Sequence, residues 1–212
     1  FVKETIMDAL GMTESFTSYE AFKAHDNIAT PHIEKKADVF RNYLNAKGAV
    51  GVKTNVFDLL KWANMWLNDG VVDGDTILTP KTVNYILNAH TAMQVSSSNK
   101  ADGKYYKAAG LGWFIEDYAG MATYRHSGGL PGLILNLCMV PQEKAAIVVL
   151  TNDESYLPFA FTNEMLDIIS GKDIADYITF YAPYSKKGQV KNRIELPNMK
   201  YKKQWIGNDK IV

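Results

Sequence analysis

The residues best suited to chemistry lie in Tyr124-Arg125-His126-Ser127-Gly128-Gly129-Leu130-Pro131-Gly132, where an imidazole and a hydroxyl adjoin three glycines. Serine catalysis needs a base within hydrogen-bond reach of the hydroxyl, and donors for the oxyanion that forms. His126 and Ser127 are neighbours in sequence, and neighbours on a strand point to opposite faces, so they make a poor nucleophile–base pair. The glycines offer something different. Without a Cβ, the backbone can lie close against a ligand. Taken alone, His-Ser-Gly-Gly reads as a turn without chemistry.

Other candidate chemistries are weaker. Ser97-Ser98-Asn99-Lys100 spells Ser-x-x-Lys, but the surrounding stretch has few apolar residues to anchor the helix such a pair requires. Asp73 and Asp75 flank Gly74; no EF-hand ligand loop follows, and turn chemistry explains them. His25, Asp26, His32 and Glu34 fit no metal spacing and read as surface loop residues. No Walker-type glycine loop and no poised pair of carboxylates is evident. The single Cys138 has no internal disulfide partner and reads as a buried strand residue. Neither a metal site nor a cofactor is expected.

Composition narrows the class. The chain has 212 residues, 47% of them hydrophobic, with Lys+Arg and Asp+Glu both at 23. That is enough for one good core, or for one domain plus a short appendage. The balanced charge gives no sign of a nucleic-acid partner. Apolar runs are too short to span a bilayer as a helix. The opening Phe1-Val2-Lys3-Glu4-Thr5-Ile6 already has helical spacing without a cap, which suggests a chain cut from a longer one.

The elements around the glycine stretch follow from periodicity. A helix is expected over residues 1–10, with Val2, Ile6 and Leu10 on one stripe and Gly11 as its stop. Residues 13–50 read as irregular. Asn55 is expected to cap a helix whose buried stripe is Val56, Leu59, Leu60, Ala63 and Leu67, with Asp58 as capping-box partner. Trp62 and Trp66 widen its apolar face. A hairpin with Asp73-Gly74 at its tip and a helix started by Thr79-Pro80 come next. Residues 91–108 read as a polar loop. Strands are expected from Gly110 to Tyr118, into His126, and over 133–140 and 145–151, forming an antiparallel meander. Pro158 starts a helix with Phe161, Met165, Ile168 and Ile169 inward. Asp173 is expected to cap a short helix to Tyr181. From Ala182 the composition shifts, and Lys186 to Arg193 reads as a basic linker.

With these elements in place, Arg125-His126-Ser127-Gly128-Gly129-Leu130-Pro131-Gly132 resembles the third motif of the serine beta-lactamase and penicillin-binding-protein superfamily, in its broad class-C-like branch. That motif is Lys-Thr-Gly in some members and His-Thr/Ser-Gly in many of this branch. Other stretches match in the same order. Ile6-Met7-Asp8-Ala9-Leu10-Gly11-Met12-Thr13 resembles a helix ending Pro-Leu-Gly-Met-Thr, with Ala9 in place of Pro. Ala49 to Gly70 resembles the helix carrying Asp-Leu-x-Lys-Trp. Gly110-Leu111-Gly112-Trp113 and Val148-Val149-Leu150-Thr151-Asn152 also match. The resemblance covers roughly residues 1–170.

The resemblance implies an α+β fold with an antiparallel sheet flanked by helices, of the beta-lactamase/DD-peptidase kind. Residues 1–181 would be the C-terminal part of the hydrolase domain, and 182–212 a basic linker and tail. The family's Ser-x-x-Lys and Tyr-x-Asn motifs precede the point where this chain begins, so the fold would be incomplete without its N-terminal strands and nucleophile helix. Tyr43-Leu44-Asn45 has the letters of the second motif but the wrong order. In the family a serine is acylated by a lactam, amide or ester carbonyl. Carried over, His126 would flank the acyl site, Ser127 would hydrogen-bond substrate, Gly128 would keep the strand open, and the Gly129 N–H would serve the oxyanion hole.

Several expectations follow from the resemblance. The substrate would be a small molecule or a cell-wall peptide, with lactam, peptide and ester left open, and the location outside the cytoplasm. This chain alone would be inactive. The bare edge of the strand over 145–151 would be covered by the missing N-terminal segment or by another chain. The competing reading is a non-catalytic binding or scaffold protein with the same fold.

Overall fold

The computed structural model describes residues 1–101 and 104–182, so the basic run from Lys186 to Arg193 and the rest of the tail lie outside the described residues. Its centre is an antiparallel six-stranded sheet. The strands are β1 (Thr91–Ala92), β2 (Lys107–Ala109), β3 (Phe114–Tyr118), β4 (Met121–Leu130), β5 (Leu133–Val140) and β6 (Ala145–Thr151). Each pairs with its neighbours in chain order, as a simple meander. The expected strands over 133–140 and 145–151 appear with those bounds.

Helices cover both faces. On one face, α1 (Val56–Leu67) and α2 (Pro80–Leu87) pack with Met7, Leu10 and Met12 from the opening segment. Trp66, Leu67 and Met65 meet Leu137 and Met139 there, with Ala146 and Val148 alongside. On the other face, α3 (Leu157–Ser170) brings Leu166 against Tyr118, Cys138, Val140 and Ile147. Strand alternation makes both cores possible: Leu137 and Met139 point one way, Cys138 and Val140 the other. Fully burying a side chain such as Met65, Met139 or Leu166 contributes about 1.5–3 kcal/mol.

Local signals act where expected. The Asn55 side chain accepts from the Asp58 N–H, and the Thr79 side chain from the Thr82 N–H. Asp73 and Gly74 take positive φ at the tip of the Val71–Val72/Asp75–Thr76 hairpin. Trp62 and Trp66 are packing residues, edge-on at 5.3 Å, and Trp66 reaches Trp113 at 5.7 Å.

Other expectations are corrected. The opening helix is a π-helical turn at Lys3–Met7 that buries Met7; Leu10, beyond the turn, is also buried, while Val2 is exposed. Residues 13–50 include a short helix at Tyr19–Lys23 and a hairpin of His32–Ile33 with Lys36–Ala37. Asp58 is no capping-box partner; its buried carboxylate accepts from the Glu14 N–H and the Ser15 hydroxyl. That tethers the opening segment to α1. The buried residues of α1 lie at Asp58, Ala63, Met65, Trp66 and Leu67, while Val56, Leu59 and Leu60 are half-buried. Residues 91–108 hold β1, a short helix at Ser97–Ala101 and β2. Asp176, not Asp173, caps the last helix, α4 (Tyr177–Tyr181).

The largest correction is the rotation of α3. Phe161 and Met165 are exposed, while Thr162, Asn163 and Asp167 are buried. Each buried polar group has a partner: Asn136 Nδ2 donates to Thr162 Oγ1, Arg125 Nη1 to Asn163 Oδ1, and the Tyr118 hydroxyl to Asp167 Oδ1. Satisfied polar groups can be buried at little net penalty.

Candidate functional site

The four residues singled out from sequence lie together on the far half of β4. His126 pairs with Leu137, Ser127 with Asn136, Gly128 with Leu135 and Gly129 with Ile134 on β5. On its other side β4 pairs with β3 only from Met121 to Arg125, because β3 begins at Phe114. The expected strand from Gly110 is shorter than read. Residues 110–113 form the loop of the β2–β3 hairpin, closed by Gly110 N–H to Trp113 O at 2.7 Å. Gly112 turns the chain there with φ +84°. The β4–β5 hairpin therefore runs five residues beyond the last β3 partner of β4, Arg125, to Leu130.

That step decides which backbone groups are presented. In an antiparallel strand, successive residues direct their N–H and C=O groups to alternate sides. The pair flanking the two-residue turn at Pro131-Gly132, Leu130 and Leu133, bonds across the hairpin, so Gly128 and His126 also face β5. Ser127 and Gly129 face the other way, toward the side that β3 has left. The turns at both ends agree: Arg125, in register with Phe114, shares the parity of Ser127 and Gly129.

The two glycines differ in what the fold asks of them. A methyl at Gly128 would stand 3.3–3.4 Å from the Leu135 side chain. A methyl at Gly129 would meet nothing nearer than Leu133 O at 3.9 Å. Neither has positive φ. Internal packing thus gives a reason for Gly128 to be small and none for Gly129. The absence of a side chain at Gly129 keeps the outward-facing backbone accessible.

His126 is exposed and stacks on Phe114, with ring centroids 5.9 Å apart and planes 27° apart. Arg125, one residue back, anchors the strand from the α3 side. Its Nη1 donates to Asn163 Oδ1 at 3.2 Å, and its Nε lies 4.0 Å from Glu116 Oε2. Burial pushes the Glu116 carboxyl up, but Arg125 and the hydrogen bond from Lys107, with the charges of Lys107 and Lys104, hold it below its ordinary value. Tyr118 lies in the same layer. Burial, reinforced by its hydrogen bonds to Asp167 and Tyr177, pushes its hydroxyl far up, so it stays neutral.

The hairpin tip is clamped as well. The Gly132 N–H donates to Glu154 Oε1 at 3.1 Å, and the His32 N–H to Gly132 O at 3.2 Å. His32 also forms a bridge to Asp153, and its ring meets Asn152. Sequence reasoning did not single out Phe114, Pro31 or Glu154 for the site and read His32 as a surface loop residue, since only the fold brings them to β4. It did find the glycines by their clustering. Ser97 and Lys100 lie on a short exposed helix, and Tyr43 and Asn45 in and beside a short 3₁₀ turn, away from β4 in the chain order. Among the described residues, no three His, Cys, Asp or Glu side chains converge as a metal would require, and no helix is long and apolar enough to cross a membrane.

An antiparallel sheet with helices on both faces and an open backbone edge on the His-Ser-Gly-Gly strand defines an α+β domain of the beta-lactamase and penicillin-binding-protein type. The family model named Beta-lactamase matches residues 1–171, and the chain belongs to that family. Among solved structures it is similar to the octameric penicillin-binding protein homologue from Pyrococcus abyssi, with a TM-score of 0.66 and 19% identity. That match covers 81% of this chain and 37% of the other, so the chain spans well under half the length of that relative. No curated protein matches it.

Proposed function

We propose that this chain supplies one wall of the acyl-transfer site of a serine hydrolase. A substrate acyl group lies along the open side of β4. The Gly129 N–H donates to the carbonyl oxygen as it becomes an oxyanion, Ser127 hydrogen-bonds the substrate, and His126 flanks the reacting group. The supporting observation is the step at Phe114, which leaves Ser127 and Gly129 facing away from β5 without a β3 partner. The acylated serine and its proton-handling partners come from outside these residues. Oxyanion donors of this kind are worth about 3 kcal/mol of transition-state stabilisation each.

The full-length protein carrying this chain tests the reading. Incubated with nitrocefin, a p-nitrophenyl ester or a D-alanyl-D-alanine peptide, it should turn over at least one of them. Mass spectrometry should find the acyl adduct on a serine outside residues 1–212. An adduct on Ser127 or Ser97, or turnover by the purified 212-residue chain, would refute the placement of the nucleophile. Ligand binding with no acylation would favour a binding protein of the same fold.

The proposal extends to the sheet edge. β6 pairs with β5 and with no further strand among the described residues, and Phe161 and Met165 leave an exposed apolar pair on α3. A strand from elsewhere in the full protein, or from another chain, covers that edge. Amide exchange of residues 145–151 should be slower in the full-length protein than in the isolated chain; equal exchange would count against it.

A further inference from the structure

Among the described residues, the open half of β4, residues 126–130, has a strand beside it only on the β5 side. Its far end is the two-residue turn Pro131-Gly132. Proline sets φ at about −65° in the first position, and Gly132 has φ +77° in the second. That is the pattern of a type II turn. Two-residue hairpins favour the mirror-image turns, whose twist matches that of the strands, whereas a type II turn splays them. The turn by itself therefore works against a fixed direction for the open strand.

Two other segments supply what the turn does not. The Gly132 N–H donates to Glu154 Oε1 at 3.1 Å, and the Gly132 carbonyl accepts from the His32 N–H at 3.2 Å. These segments are also joined to each other: Asn152 Nδ2 donates to Thr30 O at 2.8 Å, and His32 forms a bridge to Asp153. The Thr151 hydroxyl donates to Ile134 O at 2.8 Å, which fixes the start of the 151–154 segment to β5. The geometry points to Glu154 as a positioning residue: through the Gly132 N–H its carboxylate sets the twist of the open half of β4, and with it the direction of the Gly129 N–H three residues away. His32 acts on the same residue through its backbone, so Glu154 is the side chain whose removal breaks the clamp. The catalytic consequence rests on the acyl-transfer reading above; the effect on the strand does not.

The test compares Glu154→Ala and Glu154→Gln with the wild type in the full-length protein. Glutamine keeps an acceptor oxygen and alanine does not. One readout is amide exchange of His126, Gly128 and Leu130, whose N–H groups face β5, measured against Leu137, Cys138 and Met139 deep in the sheet. The other is turnover of p-nitrophenyl acetate, with kcat per burst-titrated active site and KM read separately. Glu154→Ala should speed exchange of the three β4 amides by about tenfold relative to the β5 amides, the effect of losing one hydrogen bond to a charged acceptor. It should lower kcat by about tenfold to 100-fold, since a misplacement of about 1 Å reaches that range. KM should stay unchanged, because the oxyanion forms only in the transition state. Glu154→Gln should restore both readouts. Should the alanine variant not fold, Glu154→Asp, which withdraws the carboxylate by one methylene, gives the same comparison. Unchanged exchange, or equal acceleration in β4 and β5, overturns the proposal. Faster β4 exchange with an unchanged kcat overturns the positioning role and leaves the acyl-transfer reading standing. A wild type without turnover overturns the acyl-transfer reading, and exchange alone then decides whether Glu154 sets the strand.

Discussion

Gly128 faces Leu135 across the hairpin so closely that an added methyl would stand 3.3 Å from the Leu135 Cγ. One residue on, Gly129 has no such neighbour. Adjacent glycines therefore meet different packing demands, tight at Gly128 and open at Gly129.

Substitution separates them. Gly128→Ala should destabilise by about 1 kcal/mol, at the low end of overpacking. Gly129→Ala should leave stability unchanged or raise it by about 0.4–1 kcal/mol, because alanine restricts the unfolded chain at a compatible φ. With the acyl group placed against Gly129 as proposed above, the Gly129 variant of the full-length protein should nevertheless lose most activity, because the added methyl crowds that group. Urea unfolding and ester turnover on both variants read the two effects independently. A destabilised Gly129→Ala, or one with full activity, contradicts the assignment.

Gly132 depends on the clamp around it. Its φ is +77°, and a methyl there would stand 2.6 Å from Pro31 Cβ and 2.7 Å from the His32 nitrogen. Gly132→Ala should cost about 2–5 kcal/mol, the sum of left-handed strain and overpacking. The urea midpoint measures this. An unshifted midpoint would mean that the 30–33 segment does not bear on the hairpin tip.

The Glu116 carboxyl carries a pH dependence. Its folded value is held below the ordinary carboxylate pKa of about 4.3. The native state therefore favours the charged form. The stabilisation is fully present above the unfolded pKa and is lost as pH falls through the lower folded value. Glu116→Gln should reduce stability at pH 7 by about 1–3 kcal/mol, since Arg125 and Lys107 lose their charged partner, and should flatten the fall in stability below pH 4.3. Urea midpoints between pH 7 and 3 provide the comparison.

Cys138 is fully buried on β5, and burial pushes its thiol pKa up. Maleimide, which reacts with the thiolate, should not label the native protein at pH 7.5 and should label it fully in denaturant. Labelling of the folded chain at the rate of a free thiol would show that the face between β5 and α3 opens readily.

Much of the frame was legible in the chain itself, because its signals are local. The Asn55 and Thr79 caps, the Asp73-Gly74 turn and the strands over 133–140 and 145–151 each depend on a few consecutive residues, and each stands where read. The His126–Gly132 cluster was visible as glycine density beside a His and a Ser, and its order among the other motifs indicated the family. Tertiary structure decided what depends on distant partners. The alternation Leu111–Trp113–Ile115 gives no sign that β3 begins only at Phe114, because the stop is set by Gly112 and by the packing of Gly110 against Ile86. The apolar spacing of α3 pointed Phe161 and Met165 inward. The fold instead buries Thr162, Asn163 and Asp167, whose partners Asn136, Arg125 and Tyr118 arrive from other strands. Residue types indicated that β4 could admit a ligand. Which of its backbone groups face away from β5 was settled by register and by the point at which the neighbouring strand turns away.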